Sequence, residues 1–195
     1  MRVFDLDGTV RKGNISVDFF CFCMFRHPKV LLYFPTSLQG LVRYKLGLID
    51  ISASQSKFVR FVRYIKDPQE TVNNFLDKTS HKTFDWYKEQ SEKDDVFITT
   101  SPDFLVEPYC ERLGVTNVIS TRVDLKNATV IDKPCIRDEK LKRLREIYGE
   151  DQIIDELYTD SLLEDKSLVG ISKKIYVYKN GHMVKTITND CQNNK

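Results

Sequence analysis

A chain of 195 residues with 41% apolar and 30% charged residues is long enough for one well-packed domain carrying a modest insertion, and has an ordinary globular composition. Its most apolar run, residues 19–25, is closed by Arg26, His27, Pro28 and Lys29, which makes it far too short to cross a bilayer. The net charge of +2 is uneven: between Arg11 and Lys66 ten Lys and Arg face only Asp18 and Asp50, the pattern of an anionic ligand or surface nearby, or of a solvated basic face.

The predicted elements begin with residues 1–4, an apolar lead that reads as the end of a buried strand, after which Gly8 supplies a flexible corner. From about residue 16 to 90 the pattern is helical. One helix is expected over 17–25, ending before Pro28, and a second over 30–46, kinked near Pro35. Phe58, Phe61, Val62 and Ile65 fall at i, i+3, i+4 and i+7, an apolar helical stripe. Pro68 opens a further helix carrying Val72, Phe75 and Leu76.

After Asp95 strands and helices alternate. Residues 96–98 read as a buried strand, followed by Ser101 as N-cap and Pro102 as first residue of a helix that reaches Leu113 and stops at Gly114. Val118 and Ile119 make another strand, and 121–131 a hairpin turning near Lys126 and Asn127. Arg137 or Asp138 caps a helix with Leu141, Leu144 and Tyr148 on one face. Residues 157–159 are a strand, 161–171 helical, and 175–178 and 183–187 flank a hairpin turn at Asn180 and Gly181. The polar tail 189–195 is expected to fray. This order implies an α/β fold with a mostly parallel sheet covered on both faces, whose ligands bind at the carboxyl ends of the strands.

Three polar groups sit at those ends: Asp5 with Asp7, Thr99 with Thr100, and Asp160. Asp5 and Asp7 are two apart, so both side chains can face one side. With Asp160 they form a hard, oxygen-only site suited to Mg²⁺, which takes one or two carboxylates, waters and a substrate phosphate. A calcium loop starting at Asp5 fails, because Val10 and Ser16 stand where glycine and a bidentate glutamate are required. The five cysteines never occur as Cys-x-x-Cys, and Cys21 and Cys23 point apart on a helix, so reduced thiols and a cytoplasmic location are expected. His27, His81 and His182 show no metal spacing. With a candidate motif starting at residue 5, no signal peptide is expected.

Asp5-Leu6-Asp7-Gly8-Thr9 resembles the first motif of the haloacid dehalogenase superfamily, in its phosphatase branch. Thr99 resembles the second motif, with Thr100 as competitor; Lys140 the third, with Lys133 as competitor; and Thr159-Asp160-Ser161 with Glu164 or Asp165 the fourth. The helical insertion between the first two motifs is similar to a C1-type cap, and the chain is most similar to phosphoserine phosphatase-like members. The resemblance implies a Rossmann-like core over residues 1–13 and 91–195 and a helical cap over 14–90.

It also implies roles. Asp5 would be the nucleophile, forming an aspartyl-phosphate, and Asp7 the general acid and base. Asp5, Asp7 (through its backbone carbonyl) and Asp160 would hold Mg²⁺, and Thr99 and Lys140 would steady the phosphoryl group. Gly8, Thr9 and Thr100 are candidates for phosphate binding, and Glu164 and Asp165 for a supporting role beside the metal. A lysine in the first turn of a helix opposes the macrodipole, a local cost that an electrostatic role would explain.

Two departures matter. Thr159 stands where the family usually has glycine, and Asn14 stands where phosphoserine phosphatases carry an acid for the substrate amine, which disfavours phosphoserine. The expected partner is therefore another small phosphomonoester. The basic segment and the aromatic helix with Phe19, Phe20, Phe22 and Phe25 raise an alternative: peripheral membrane contact and a lipid or polyprenyl phosphate substrate. A non-catalytic binding module would be marked by loss of Asp5, Asp7 or Lys140, all of which are present. Transfer of the phosphoryl group to an acceptor other than water stays open, and nucleic acid is not expected, since no stacking motif accompanies the basic residues.

Overall fold

The computed structural model describes residues 1–49 and 51–189; Asp50 and the tail 190–195 lie outside the described residues. The chain runs β1 (Arg2–Phe4), α1 (Ile15–Arg26), α2 (Pro28–Lys45), α3 (Ile51–Val59), a 3-10 segment (Arg60–Tyr64), α4 (Pro68–Thr79), a second 3-10 turn (Ser80–Lys82) and α5 (Asp85–Lys88). There follow β2 (Val96–Pro102), α6 (Asp103–Glu111), β3 (Asn117–Thr121), β4 (Val123–Asp124), β5 (Thr129–Val130) and α7 (Asp138–Tyr148). The chain then continues through β6 (Ile154–Thr159), α8 (Lys166–Val169), β7 (Ser172–Lys179) and β8 (His182–Thr188). No described helix is long and apolar enough to cross a membrane.

Six strands form one sheet in the order β3-β2-β1-β6-β7-β8, parallel except for β8, while β4 and β5 pair as a separate antiparallel ribbon. The strand at residues 1–4 is therefore the centre of the sheet, with β2 on one side and β6 on the other. Alternation across the pleat explains its composition. Phe4 points into one core cluster with Leu6, Phe97 and Tyr158, and Val3 into another with Val96, Ile98, Leu157 and Leu144. Both faces are covered, as a parallel sheet requires. Phe4 stacks on Tyr158 at 4.3 Å, and Trp86 from the insertion stacks on Tyr178 at 4.0 Å. Strand order reverses at β1, so the crevice at its carboxyl end is the topological switch point.

Several local expectations are corrected. The stripe from Phe58 to Ile65 is not one α-helix: α3 stops at Val59 and a 3-10 segment carries Phe61 and Val62, both buried. Strand β2 continues through Ser101 to Pro102, and α6 opens at Asp103 with no side-chain cap from Pro102, so Ser101 is not a helix cap. Asp103 Oδ1 instead accepts from the Phe104 and Val123 amides, tying the helix start to β4. The segment 161–171 is helical only over Lys166–Val169, because the turn before it swings Asp165 inward. Asn189 is pinned rather than frayed, its amide donating to the Lys173 carbonyl at 2.8 Å and its Nδ2 to the Val169 and Ser172 carbonyls at 2.9 Å.

Candidate active site

Strand β1 delivers Asp5 directly, since its amide donates to the Tyr158 carbonyl at 2.9 Å and prolongs the ladder by one residue. The chain then folds back sharply: the Val10 and Arg11 amides both donate to the Leu6 carbonyl, and Gly8 N–H donates to the Arg11 carbonyl at 2.8 Å. Gly8 has φ +85°, and a Cβ there would stand 2.6 Å from Asp160 Oδ2. Glycine is needed on both counts, to adopt the left-handed region and to let the Asp160 carboxylate approach.

Asp5, Asp7, Gly8, Thr99, Thr100, Lys140, Asp160 and Glu164 all line one cavity of about 560 Å³ at the carboxyl ends of β1, β2 and β6. Thr9 and Asp165 lie behind its wall. Thr9 is buried and its Oγ1 has no hydrogen-bond partner among the described residues. Asp165 is 1% exposed and reaches the site through Lys140. Lys133 is exposed and outside the cavity, so between the two lysines it is Lys140 that reaches the carboxylates.

Lys140 Nζ donates to Asp5 Oδ1 at 3.0 Å and to Asp165 Oδ1 at 2.6 Å, while Thr159 Oγ1 donates to Asp165 Oδ2 at 2.5 Å. The threonine that replaces the usual glycine thus gains a structural use. Burial opposes the Lys140 charge, but Asp5 and Asp165 together hold its pKa above the ordinary lysine value. For Asp5 burial dominates over the attraction of Lys140, and Asp165, Asp7 and Asp160 add repulsion, pushing its pKa up to about 8.

Asp7 is held by three donors. Its Oδ1 accepts from the Ile15 amide at 2.7 Å; its Oδ2 accepts from Ser101 Oγ at 2.6 Å and from Asn14 Nδ2 at 3.1 Å. Ser16 Oγ lies 3.1 Å from Ser101 Oγ, so with Ser101 donating to Asp7 the Ser16 hydroxyl donates to Ser101. Asn14 also caps α1, its Oδ1 accepting from the Val17 amide at 3.0 Å. Burial raises the Asp7 pKa; the Ser101 and Ile15 hydrogen bonds and the Arg11 charge oppose it. Asp160 is likewise raised by burial against the pull of Lys179, whose ammonium donates to the Asp160 carbonyl.

Sequence reasoning missed Ser101 and Lys179 as members of the site. Ser101 carried a competing signal, Ser before Pro, that suggests a helix cap, and Lys179 belongs to a hairpin whose approach to β6 is purely tertiary.

Mg²⁺ fits this donor set. Among the described residues no three His, Cys, Asp or Glu side chains form a ready cluster, and the Asp7 carboxylate is already committed to its three donors. Asp5 and Asp160 remain, two carboxylates facing an open polar cavity, which is the number Mg²⁺ takes alongside water and phosphate oxygens. Beyond the dominant cost of burial, Asp165, Asp7 and Asp160 repel the Asp5 charge, and a divalent cation would offset that repulsion.

The family model for haloacid dehalogenase-like hydrolases matches residues 3–163. The chain belongs to that family of hydrolases. No curated protein matches it. Among solved structures it is similar to a protein of unknown function from Bordetella pertussis Tohama I, with TM-score 0.75 and 14% identity over 91% of this chain and 88% of that one. It is also similar to a phosphoserine phosphohydrolase-like protein from Francisella tularensis, with TM-score 0.59 and 16% identity over 92% and 87% of the two chains. A probable phosphoserine phosphatase from Vibrio cholerae gives TM-score 0.59 and 13% identity over 88% of this chain and 54% of that one. At these identities the likeness is one of fold.

Proposed function

We propose that this hydrolase is a Mg²⁺-dependent phosphatase that cleaves a phosphomonoester through an aspartyl-phosphate on Asp5. The observation that carries the reading is the juxtaposition of Asp5 with Lys140 at 3.0 Å beside Asp7, Thr99 and Asp160 in one polar cavity, within a family of hydrolases. Two solved structures of like fold bear phosphoserine phosphatase-type names.

An Asp5 carboxylate oxygen attacks phosphorus as the bond to the leaving oxygen breaks. Asp7, whose charged form burial disfavours, protonates that leaving oxygen. A water then attacks the phosphorus of the aspartyl-phosphate, giving its proton to Asp7, so that inorganic phosphate departs and both aspartates are restored. The Thr99 and Thr100 hydroxyls offer donors to the phosphoryl oxygens, and Lys140 holds a fixed positive charge beside them; the Gly8 N–H is committed to the Arg11 carbonyl. Asp5, Asp160 and the Asp7 carbonyl would hold Mg²⁺, which would supply charge neutralisation at the phosphoryl group and favour the ionised form of Asp5.

Residues 1–13 and 91–195 act as the catalytic core, and the helical segment 14–90 as a cap that excludes bulk water. The four described cysteines, Cys21, Cys23, Cys110 and Cys135, are all unpaired, which fits a reducing compartment such as the cytoplasm. The test is release of phosphate from a small aryl phosphate with Mg²⁺. Asp5→Asn is expected to lower kcat by at least about 10³-fold, and undiminished turnover by that variant would refute the mechanism.

A further inference from the structure

Beside the catalytic cavity lies a second one of about 400 Å³, and the two share Asn14 and Thr100 on their walls. A group leaving from a phosphate held at Asp5 therefore has this space as its neighbour. Val17, Phe20, Phe34, Leu38, Phe58 and Val59 give it an apolar wall from α1, α2 and α3. No charged side chain lines it among the described residues. Some of its polar groups are committed elsewhere: the Ser16 and Ser101 hydroxyls bond each other, and Thr121 Oγ1 donates to the Thr100 carbonyl at 2.6 Å. Gln55 Oε1 is a buried acceptor without a partner among the described residues, and the Ser54 and Thr100 hydroxyls also line the space.

These features select among leaving groups. A phosphorylated amino acid would bring an ammonium and a carboxylate into a wall with no charge to meet them, at a heavy desolvation cost. A sugar would bring several hydroxyls to walls that are mainly apolar. An aliphatic chain needs neither, and a largely apolar space of this volume is the usual form of a small-molecule pocket. The wall continues outward. Phe34 and Leu38 are 44% and 48% exposed, and Leu31 and Val42 extend the same face of α2 at 55% and 46%.

We propose that the leaving group is an aliphatic chain seated in this second pocket, so that the substrate is a lipid-type phosphomonoester. The inference rests on the phosphatase reading and names the substrate class for that same site.

The experiment compares kcat/KM for ethyl, hexyl and decyl phosphate, each below the concentration at which it aggregates, with phosphoserine as the charged competitor. Each methylene buried is worth up to about fourfold, so hexyl phosphate is expected to exceed ethyl phosphate by at least about tenfold and to exceed phosphoserine. Leu38→Glu and Val17→Glu, at half-exposed wall positions, are each expected to reduce the hexyl-to-ethyl ratio at least about tenfold. Because the ratio is taken within one variant, partial loss of folded protein cancels. Equal values along the chain series, or a preference for phosphoserine, would overturn this inference while leaving the phosphatase intact. Hydrolysis of the aryl phosphate but of none of the four would overturn this inference alone, and hydrolysis of none of the five would overturn the phosphatase reading with it. Decyl phosphate offered in neutral vesicles separates the sources: a gain over the free monomer assigns a membrane lipid, and no gain assigns a soluble one.

Discussion

Asp165 Oδ1 lies closer to Lys140 Nζ, at 2.6 Å, than Asp5 Oδ1 does at 3.0 Å. Lys140 is therefore anchored from behind by a buried carboxylate and presents its remaining hydrogen-bonding capacity to Asp5. The neighbouring Glu164 is exposed at the cavity rim and makes no such contact among the described residues. Asp165→Asn is expected to cost about 3 kcal/mol, the lower end for breaking a buried ion pair, because Lys140 keeps Asp5. Glu164→Gln should change stability by no more than about 0.5 kcal/mol. Urea unfolding of both variants measures the contrast, and equal losses would show that Asp165 is not the anchor.

Gly8→Ala places a methyl group where the Asp160 carboxylate now stands, at a backbone angle that alanine resists. Asp160 must move, and with it a carboxylate of the proposed cation site. The Mg²⁺ concentration giving half-maximal activity is expected to rise at least about tenfold, in the range seen when metal-site support is removed. An unchanged Mg²⁺ dependence would mean that Asp160 does not bind the ion.

Removing the Ser101 hydroxyl takes away the shortest of the three hydrogen bonds to Asp7. Ser101→Ala is expected to lower kcat about tenfold with little change in KM, since a charge-assisted hydrogen bond worth about 1.5 kcal/mol positions the proton donor rather than the bound substrate. Ser101→Thr, which retains the hydroxyl, should recover part of the rate. Steady-state kinetics on a small aryl phosphate make the comparison, and a rise in KM alone would assign Ser101 to binding.

Asp5 in the metal-free protein is a mostly buried carboxylate among three others. Its folded-state pKa of about 8 against 3.8 for the free side chain means the folded state keeps a proton that the unfolded state has lost. Stability of the metal-free protein therefore falls as pH rises from about 4 to about 8. Asp5→Asn should flatten that fall and raise the melting temperature at pH 7.5 in chelator by about 3 °C, the shift for roughly 1 kcal/mol in a chain of this size. Mg²⁺ is expected to raise the melting temperature of the native protein more than that of the variant. Scanning calorimetry checks both, and equal Mg²⁺ shifts would remove Asp5 from the cation site.

The hairpin between β7 and β8 offers a test of backbone chemistry away from the site. Asn180 and Gly181 both take positive φ, 50° and 81°, and a Cβ on Gly181 would lie 2.5 Å from the Phe84 ring. Gly181→Ala is expected to cost about 2 kcal/mol, from strain and the displaced ring together. Thermal unfolding measures it.

Much of this molecule is legible along the chain because it rests on short-range rules. Alternation of Val3 and Phe4, the Asn180-Gly181 turn, the Pro68 helix start and the order of Asp5, Thr99, Lys140 and Asp160 depend only on neighbours and spacing. Periodicity was weaker where tertiary contacts override local preference. Phe58, Phe61, Val62 and Ile65 fit a helical stripe, yet the chain tightens to a 3-10 turn there to bury Phe61 and Val62. Ser101 looked like a cap because Ser-Pro so often opens a helix, and it is instead a donor to Asp7, a residue 94 positions away.

Local pattern along the chain places two aspartates two apart, a threonine and a further aspartate at the ends of parallel strands, and a lysine at a helix start, because a parallel sheet gathers strand ends wherever they occur in the chain. It takes the packed fold to show that Asp165 rather than Glu164 holds Lys140, and that Ser101 and Asn14 hold Asp7. The packed fold also decides that an uncharged pocket adjoins the phosphate cavity. Each of these depends on where a side chain points across a gap between distant segments, and spacing along the chain carries no such direction.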